Sequence, residues 1–330
     1  MNVETAERPA GLTPALFKQR FDAIVDNVER VIKGKRDVIK LVLVAVIADG
    51  HVLLEDLPGT GKTMLARSLA QSIDAPTNRV QCTPDLLPAD VTGSPVLDMR
   101  THEFTFRAGP IFTSVLLVDE VNRATPKTQS ALLEAMQERM VTVDGVTHPL
   151  PRPFLMLATQ NPIELAGTFP LPEAQLDRFL FKLSLGYPGR DAEKEVLRAN
   201  RTDEAIVHLQ AVTSQAEVIR MTDWAKEVNL AEEVMDYIVD LCRATREDPS
   251  LQIGASTRAS LALMRASRVA AAAAGREDVY PEDVRSLLVP VWAHRLVLTP
   301  DAQLRDDTVE KVIDRVIGRV KPPLGVGPKE

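Results

Sequence analysis

The sequence feature that most constrains the fold is a short apolar strand followed at once by a glycine-rich loop and a helix. It reads HVLLEDLPGTGKTMLARSLAQSI and begins at His51. Gly59 and Gly61 permit backbone angles that other residues rarely adopt. Backbone N–H groups at the start of a helix attract clustered negative charge, such as the phosphates of a nucleotide. The pattern therefore predicts an α/β domain that binds a nucleoside triphosphate.

Two side chains of this loop have distinct expected roles. Lys62 is expected to reach the β- and γ-phosphates of ATP, and the Thr63 hydroxyl is expected to bind Mg²⁺. The full pattern GxxxxGK[ST] has glycine where this chain has Asp56, and a glycine-rich turn with an exposed lysine is the alternative interpretation. The expected nucleotide contacts are Asp56, Leu57, Pro58, Gly59, Thr60, Gly61, Lys62, Thr63 and Met64.

A second signal is the continuous apolar run VLLVDE, which ends in two acids. Such a run favours a strand buried on both faces of a parallel sheet. Asp119 is expected to hold Mg²⁺, directly or through its water, and Glu120 to orient and deprotonate an attacking water. The alternative is a strand that simply ends in two solvated acids. This alternative is disfavoured because the VLLVDE run occurs in the same chain as LPGTGKT.

A third signal is Asn161 in LATQNP, which closes another buried strand. If this strand neighbours the one that ends at Asp119, the Asn161 amide is expected beside Glu120, where it could hold the same water. A simple turn is the alternative, since Asn-Pro favours turns.

The apolar periodicity changes along the chain and predicts two domains. Helical spacing over 14–32 and 37–47 precedes five short strands, with a hairpin near Met99 and Phe104 and an Asp-Gly turn after Val143. Beyond 190 the β signals stop and helical spacing continues to 320. We expect a disordered N-terminus (1–13), an α/β nucleotide-binding domain (14–188), a helical domain (189–320) and a flexible tail (321–330).

Composition excludes several classes of protein. The net charge is −7, and both halves carry more acidic than basic residues, so no domain-wide footprint for nucleic acid is present. Cys82 and Cys242 form no CxxC pair, which excludes a disulfide framework. The start of the chain has no signal-peptide pattern, and the longest apolar run, 41–48, is far short of the ~20 residues of a membrane span. We expect a cytoplasmic protein without direct membrane insertion.

Taken together, these segments resemble an AAA+ ATPase, specifically of the MoxR family, from about 15 to 320. The matching segments are LLEDLPGTGKT, QCTPDLLPADVTGSP, FTFRAGPIFTSVLLVDEVNRATPKTQSALLEAMQERMVTVDG, ATQNP, LPEAQLDRF and GASTRA. The resemblance implies an AAA+ P-loop domain with a central parallel sheet, followed by a small all-helical lid. A residue other than glycine at the Asp56 position is common in this family.

The resemblance also implies roles that residue spacing alone does not show. Asn161 matches sensor 1, Arg178 in LDRF matches an arginine finger that acts on the next subunit, and Arg258 in GASTRA matches sensor 2. Ordinary alternatives are a salt-bridged helix end for Arg178 and a surface charge for Arg258. The residues expected against the adenine are Val31, Ile32 and Gly34. The segment 90–106 resembles the helix-2 insert and 141–150 the hairpin before sensor 1, loops that face the pore in related rings.

The resemblance further implies a homo-oligomeric ring, expected to be a hexamer, that hydrolyses ATP with Mg²⁺ and remodels or matures a client protein in a chaperone-like manner. A separate protein with a von Willebrand factor A domain is the expected partner. Three alternatives remain open: a DNA-linked motor, the ATPase subunit of a metal chelatase, and a nucleotide-dependent scaffold with slow turnover. The acidic charge balance and the lack of an added DNA-binding domain argue against the first.

Overall fold

The computed structural model describes residues 11–163, 167–199 and 209–323. The chain divides into two compact units, one of residues 24–215 and one that combines 1–23 with 216–330. We call them the α/β unit and the helical unit. The predicted disordered segment 1–13 and the flexible tail 321–330 lie largely outside the described residues.

Helices and strands alternate through the first two thirds of the chain. In order, the elements are α1 (Pro14–Glu29), α2 (Arg36–Ile47), β1 (Val52–Glu55), α3 (Lys62–Ser72), β2 (Thr77–Gln81), α4 (Pro88–Thr92), β3 (Gly93–Asp98), β4 (Glu103–Ala108), β5 (Val115–Asp119), α5 (Pro126–Glu138), β6 (Met140–Val143), β7 (Val146–Pro149), β8 (Leu155–Gln160), α6 (Glu173–Leu176), β9 (Phe181–Leu183) and α7 (Arg190–Ala199).

A five-stranded parallel sheet with the order β2-β5-β8-β1-β9 forms the centre of the α/β unit, which confirms the predicted sheet. Every residue of β5 is buried, as are the first five of β8, because these strands are covered on both faces. The register pairs Gln81 with Asp119 and Glu55 with Gln160. The carboxyl ends of β2, β5, β8 and β1 therefore meet at one edge of the sheet.

The predicted turns are confirmed, and α5 begins with a side-chain cap. Thr125 caps α5 by accepting a hydrogen bond from the Thr128 N–H at 3.5 Å, and Pro126 occupies the first turn. Asp144 and Gly145 both have positive φ between β6 and β7, as a two-residue hairpin turn requires. The hairpin expected near Met99 and Phe104 is the antiparallel pair β3–β4.

The helical unit contains α8 (Gln215–Lys226, of which Gln215 belongs to the other unit), α9 (Glu232–Arg246), β10 (Leu251–Ile253), α10 (Thr257–Ala273), α11 (Pro281–Trp292), β11 (Val297–Leu298), α12 (Pro300–Leu304) and α13 (Val309–Arg319). Trp292 is fully buried and donates its indole N–H to the Ala259 carbonyl at 3.1 Å. Phe17 packs against Trp224, with ring centroids 5.2 Å apart.

Two features differ from the sequence-based expectation. The antiparallel strands β10 and β11 lie where only helices are expected, and three- and two-residue strands are too short to give a periodic signal. The compact units also differ from the expected boundary at 188, because residues 209–213 hydrogen bond to Gln71 and Ser72 of α3. No helix within the described ranges has the length and apolarity that crossing a bilayer needs.

Candidate active site

The glycine-rich loop joins β1 to α3 at the carboxyl edge of the sheet. Gly59 has φ +81° and Gly61 has φ +92°, both in the left-handed region that favours glycine. A β-carbon at Gly59 would have no atom within 4 Å, so this glycine is required by its backbone angle and not by crowding. The loop therefore presents an uncovered backbone face next to the first turn of α3, as a phosphate-binding loop requires.

Lys62 is the first residue of α3, and its ammonium lies against the loop. Nζ donates to the carbonyl oxygens of Asp56 at 2.9 Å and Leu57 at 3.3 Å. The Thr60 hydroxyl also donates to the Leu57 carbonyl, at 3.3 Å. The positive charge is thus held at the entrance of the loop, where it can neutralise a phosphate.

Asp56 plays a different part from the glycine that the general pattern has at its position. Its buried carboxylate accepts hydrogen bonds from the Ser184 hydroxyl at 2.8 Å and from the Leu185 and Gly186 N–H groups at 2.7 and 2.8 Å. The side chain therefore binds the chain that leaves β9, and only the Asp56 backbone is part of the loop that holds Lys62.

The acid pair lies two strands away from β1 at the same edge. Asp119 ends β5 and is buried, with 10% of its side chain exposed. Glu120 follows in the left-handed conformation, φ 56°, and its side chain is 27% exposed. The unusual backbone angle turns Glu120 out of the strand direction, so one carboxylate is buried at the sheet edge and the other is accessible to a water.

Thr159 fixes the relation between the two acids, and sequence reasoning missed it. Its buried hydroxyl donates to the Asp119 carboxylate at 3.2 Å and accepts from the Glu120 N–H at 2.9 Å. Since Thr159 belongs to β8, the bond exists only because β8 pairs with β5. The signal in the sequence is a threonine that follows four apolar residues of the strand and precedes Asn161 by two residues.

Three more polar side chains contact the acids and were also missed. Arg79 of β2 donates through Nε to Asp119 at 2.6 Å and through Nη2 to the Gln81 side-chain oxygen at 3.0 Å. The Gln81 amide donates to Glu120 at 3.0 Å, and Arg123 donates to the same Glu120 oxygen at 3.1 Å. The contacts of Arg79 and Gln81 follow from the β2–β5 register, whereas Arg123 lies only three residues after Glu120.

Cys82 directly follows β2 beside this network. Burial, followed by the charges of Asp119 and Glu120, raises the pKa of its thiol to about 12. The thiol is therefore neutral at physiological pH and packs as a small apolar group.

Asn161 follows β8 directly, and β8 lies between β5 and β1. The condition set by the sequence, that the strands ending at Asp119 and before Asn161 are neighbours, is met. The Asn161 side-chain oxygen accepts from the Ile163 N–H at 3.2 Å, which fixes the direction of the amide. Asn161 is thus placed between the acid pair and the glycine-rich loop.

The segment expected against the adenine lies close to the loop. A β-carbon at Gly61 would lie 3.9 Å from Cδ1 of Ile32, and Val31 donates its N–H to the Val28 carbonyl at 3.0 Å. Gly34, with φ +68°, borders a cleft of about 440 Å³ that also contacts Glu29 and Lys33. Ile32 is therefore close to the loop, and contacts of Val31, Ile32 and Gly34 with the adenine stay a prediction.

Arg178 occupies the opposite edge of the sheet. It precedes β9, whose first residue, Phe181, pairs with Val52 at the start of β1. The four residues of β1, at about 3.3 Å each, separate this edge from the loop by about 13 Å. Within residues 11–163, 167–199 and 209–323, the buried Nε of Arg178 finds no hydrogen-bond partner. Arg178 is therefore not joined to the site of its own chain.

Arg258 belongs to the helical unit, in the first turn of α10, which Ser256 caps. It is exposed. The helix places the guanidinium at the surface of that unit.

The donor set suits a magnesium nucleotide better than a metal held by protein alone. In the part of the chain that the structure describes, no three His, Cys, Asp or Glu side chains are grouped to hold a metal ion. Mg²⁺ commonly binds one or two protein oxygens together with phosphate oxygens and water. The Thr63 hydroxyl, in the first turn of α3, and the Asp119 carboxylate, at the end of β5, are the oxygens expected to bind it.

Comparisons with known proteins agree with this geometry. The family described as "ATPase family associated with various cellular activities (AAA)" matches residues 51–181, and the AAA lid domain matches 243–316. The chain is 46% identical over 300 residues to YeaC, an uncharacterised protein of Bacillus subtilis, with 91% of this chain and 94% of that one covered. It is 35% identical to a candidate ATPase from Cytophaga hutchinsonii of known crystal structure, with a TM-score of 0.88 and coverage of 94% and 97%.

Two relatives have a more specific description. Chaperone MoxR1 of Mycobacterium tuberculosis is 41% identical over 328 residues, covering 96% of this chain and 86% of that one. Protein MoxR of Paracoccus denitrificans is 31% identical over 320 residues, covering 89% and 93%. Both similarities extend across the α/β and the helical units. The chain therefore belongs to the MoxR family of AAA+ ATPases.

Proposed function

We propose that this protein binds ATP with Mg²⁺ and hydrolyses it to ADP and phosphate. The observation that carries the proposal is the meeting of three groups at one sheet edge: the loop that ends in Lys62 and Thr63, the acids Asp119 and Glu120, and Asn161 between them. This arrangement combines a phosphate cradle with a carboxylate that can act on water.

Each residue has a defined part in the proposed reaction. The loop N–H groups and Lys62 receive the phosphate charge, and Thr63 and Asp119 hold the magnesium, which neutralises charge that develops on the phosphates. Glu120 orients a water and accepts its proton as the water oxygen attacks the γ-phosphorus and the bond to the bridging oxygen breaks. Asn161 holds that water from the other side.

We propose that hydrolysis requires a ring, with six subunits as the expected number. The support is the position of Arg178, at the sheet edge opposite its own loop and with a buried Nε unpaired among the residues placed by the structure. Arg178 would act on the nucleotide of the next subunit, and Arg258 would act from the helical unit as sensor 2. An arginine supplied from a neighbour is worth about 10³ to 10⁵ in rate.

The biological task proposed is chaperone-like remodelling or maturation of a client protein. One relative is itself described as a chaperone, and membership of the MoxR family supports the same class of work here. A separate protein with a von Willebrand factor A domain is the proposed partner.

The test uses the assembled protein and two variants, one expected to lose ATP binding and the other to keep binding but lose turnover. Lys62→Ala should abolish ATP binding, because the ammonium that neutralises the phosphates is removed. Glu120→Gln should bind ATP with Mg²⁺ but turn it over at least about 100-fold more slowly, because the proton acceptor is lost. Binding is measured by equilibrium dialysis and turnover by phosphate release.

Lys226→Ala is the matched control, since it removes an exposed lysine charge from α8 in the other unit. It should bind and hydrolyse ATP like the unaltered chain. Normal turnover by Glu120→Gln would show that Glu120 does not activate water. An absence of Mg²⁺-dependent ATP binding by the unaltered chain would overturn the whole proposal.

A further inference from the structure

We infer that Arg79 is a latch on the magnesium site, so that its guanidinium and the Mg²⁺ of the bound nucleotide compete for the Asp119 carboxylate. This inference rests on the proposed function. The proposed function gives Arg79 no role. The inference assigns to this β2 residue the control of Mg²⁺ binding, which neither the glycine-rich loop nor the acid pair provides.

The first step of the argument is the contact itself. Arg79 Nε lies 2.6 Å from Asp119 Oδ2 and donates to it, in a hydrogen bond between two charged groups. The other carboxylate oxygen accepts from Thr159 at 3.2 Å. Both oxygens of Asp119 therefore have donors, and a cation that binds Oδ2 meets a guanidinium of the same charge sign that already uses one lone pair of that oxygen.

The second step is the difference in burial between the two partners. The Asp119 side chain is 10% exposed, whereas that of Arg79 is 55% exposed. The carboxylate cannot easily exchange its partner for bulk water, but the guanidinium can move into solvent at small cost. Arg79 is thus the member of the pair that can leave while Asp119 stays in place.

The third step connects the latch to the second acid. Arg79 Nη2 donates to the Gln81 side-chain oxygen at 3.0 Å, which directs the Gln81 amide nitrogen to Glu120, also at 3.0 Å. A guanidinium that leaves Asp119 also removes the donor that orients Gln81. The hold on Glu120 is therefore weakened when the metal reaches Asp119, because of its two side-chain donors only Arg123, at 3.1 Å, does not depend on Arg79.

The experiment measures the Mg²⁺ dependence of binding, without turnover. A fluorescent, non-hydrolysable ATP analogue is bound to the assembled protein, and Mg²⁺ is titrated at constant ionic strength. Arg79→Ala should lower the Mg²⁺ concentration at half-effect by about three- to tenfold, the range expected for an ion pair with one exposed partner and one buried partner. Affinity for the analogue in EDTA should not change.

Two further variants separate the latch from a general effect of charge. Arg79→Lys keeps the charge but loses the planar donor, so its half-effect concentration should fall between those of the unaltered chain and Arg79→Ala. Arg100→Ala removes an arginine whose side chain is 91% exposed on the turn between β3 and β4, and should leave the Mg²⁺ dependence unchanged.

The outcomes distinguish this inference from the proposed function. An unchanged or higher Mg²⁺ requirement for Arg79→Ala would mean that Arg79 only supports the fold of the site, and would overturn the latch. So would a normal requirement in Arg79→Lys, because the effect would then be one of charge alone. If the unaltered chain fails to bind the analogue even with Mg²⁺, the proposed function is what fails.

Discussion

At the scale of single residues, the site depends on how one threonine hydroxyl is shared. Thr159 donates to Asp119 and accepts from the N–H of Glu120, whose left-handed backbone is unfavourable for a residue with a β-carbon. Such a conformation persists only where surrounding contacts hold it. The hydroxyl therefore stabilises the very angle that turns the Glu120 carboxylate away from its neighbour.

Thr159→Val tests this role, because valine has nearly the same shape and lacks the hydroxyl. We expect a loss of about 1–3 kcal/mol in the free energy of unfolding, since a buried N–H is left without its acceptor. The rate of phosphate release should fall at least about tenfold as Glu120 loses its fixed angle. Urea unfolding and a phosphate-release assay measure the two effects.

Thr159→Ser keeps the hydroxyl and should restore most of both quantities. Thr142→Val is the matched control, because Thr142 is exposed on the β6–β7 hairpin, where its hydroxyl lies 3.1 Å from that of the exposed Thr147. It should stay within about 0.5 kcal/mol of the unaltered chain. A Thr159→Val variant as stable and active as this control would show that another contact holds Glu120.

At the scale of helices and strands, the sequence predicts the central sheet well because buried parallel strands are continuous apolar runs. Val115–Asp119 is such a run and ends in Asp119, and Leu155–Gln160 begins as one and is followed directly by Asn161. The contacts of Arg79, Gln81 and Thr159 could not be predicted in the same way. They follow from the β2-β5-β8 order and its register, which bring together residues up to 80 positions apart in the chain.

Asp56 connects two elements of the sheet, a role that the nucleotide-binding pattern alone does not predict. Its carboxylate joins the end of β1 to the segment that follows β9, through one hydroxyl and two backbone N–H donors. The general pattern has a glycine at this position, which could not make this connection. The departure from the pattern therefore has a structural cause: the same residue anchors the start of the loop to the edge of the sheet.

Asp56→Asn should lower the free energy of unfolding by about 2–4 kcal/mol, because the amide NH₂ faces N–H groups that need an acceptor. Thermal and urea unfolding measure the change. The matched control is Asp144→Asn in the β6–β7 turn, where asparagine also tolerates the left-handed backbone, so its stability should change little. Equal stability of the two variants would show that the three hydrogen bonds of Asp56 add nothing.

At the scale of the whole molecule, the two edges of the sheet have different partners. The carboxyl edge holds the loop, the acids and Asn161, whereas the opposite edge holds Arg178, next to the strand start where Leu180 donates to the His51 carbonyl at 2.8 Å. An arginine so placed would reach a nucleotide if another copy of the chain lay against that edge. The proposed function therefore implies a site that a second subunit completes.

If the loop and the arginine finger of one site come from different subunits, two inactive variants should complement each other. Arg178→Ala keeps the loop and should still bind ATP with Mg²⁺, but its turnover should fall about 10³-fold or more because the finger is lost. Lys62→Ala keeps Arg178 but cannot bind ATP. Co-assembled rings should regain hydrolysis wherever an Arg178→Ala subunit binds ATP next to a Lys62→Ala subunit that supplies the finger.

Phosphate release is measured across mixing ratios. The control is a mixture of Lys62→Ala with Glu120→Gln, in which no subunit has both an intact loop and the Glu120 base. Recovery of phosphate release should be greatest near equal amounts of the Arg178→Ala and Lys62→Ala variants. Light scattering shows whether the mixtures contain joint assemblies. If they do and hydrolysis recovers at no ratio, Arg178 has no part in the reaction.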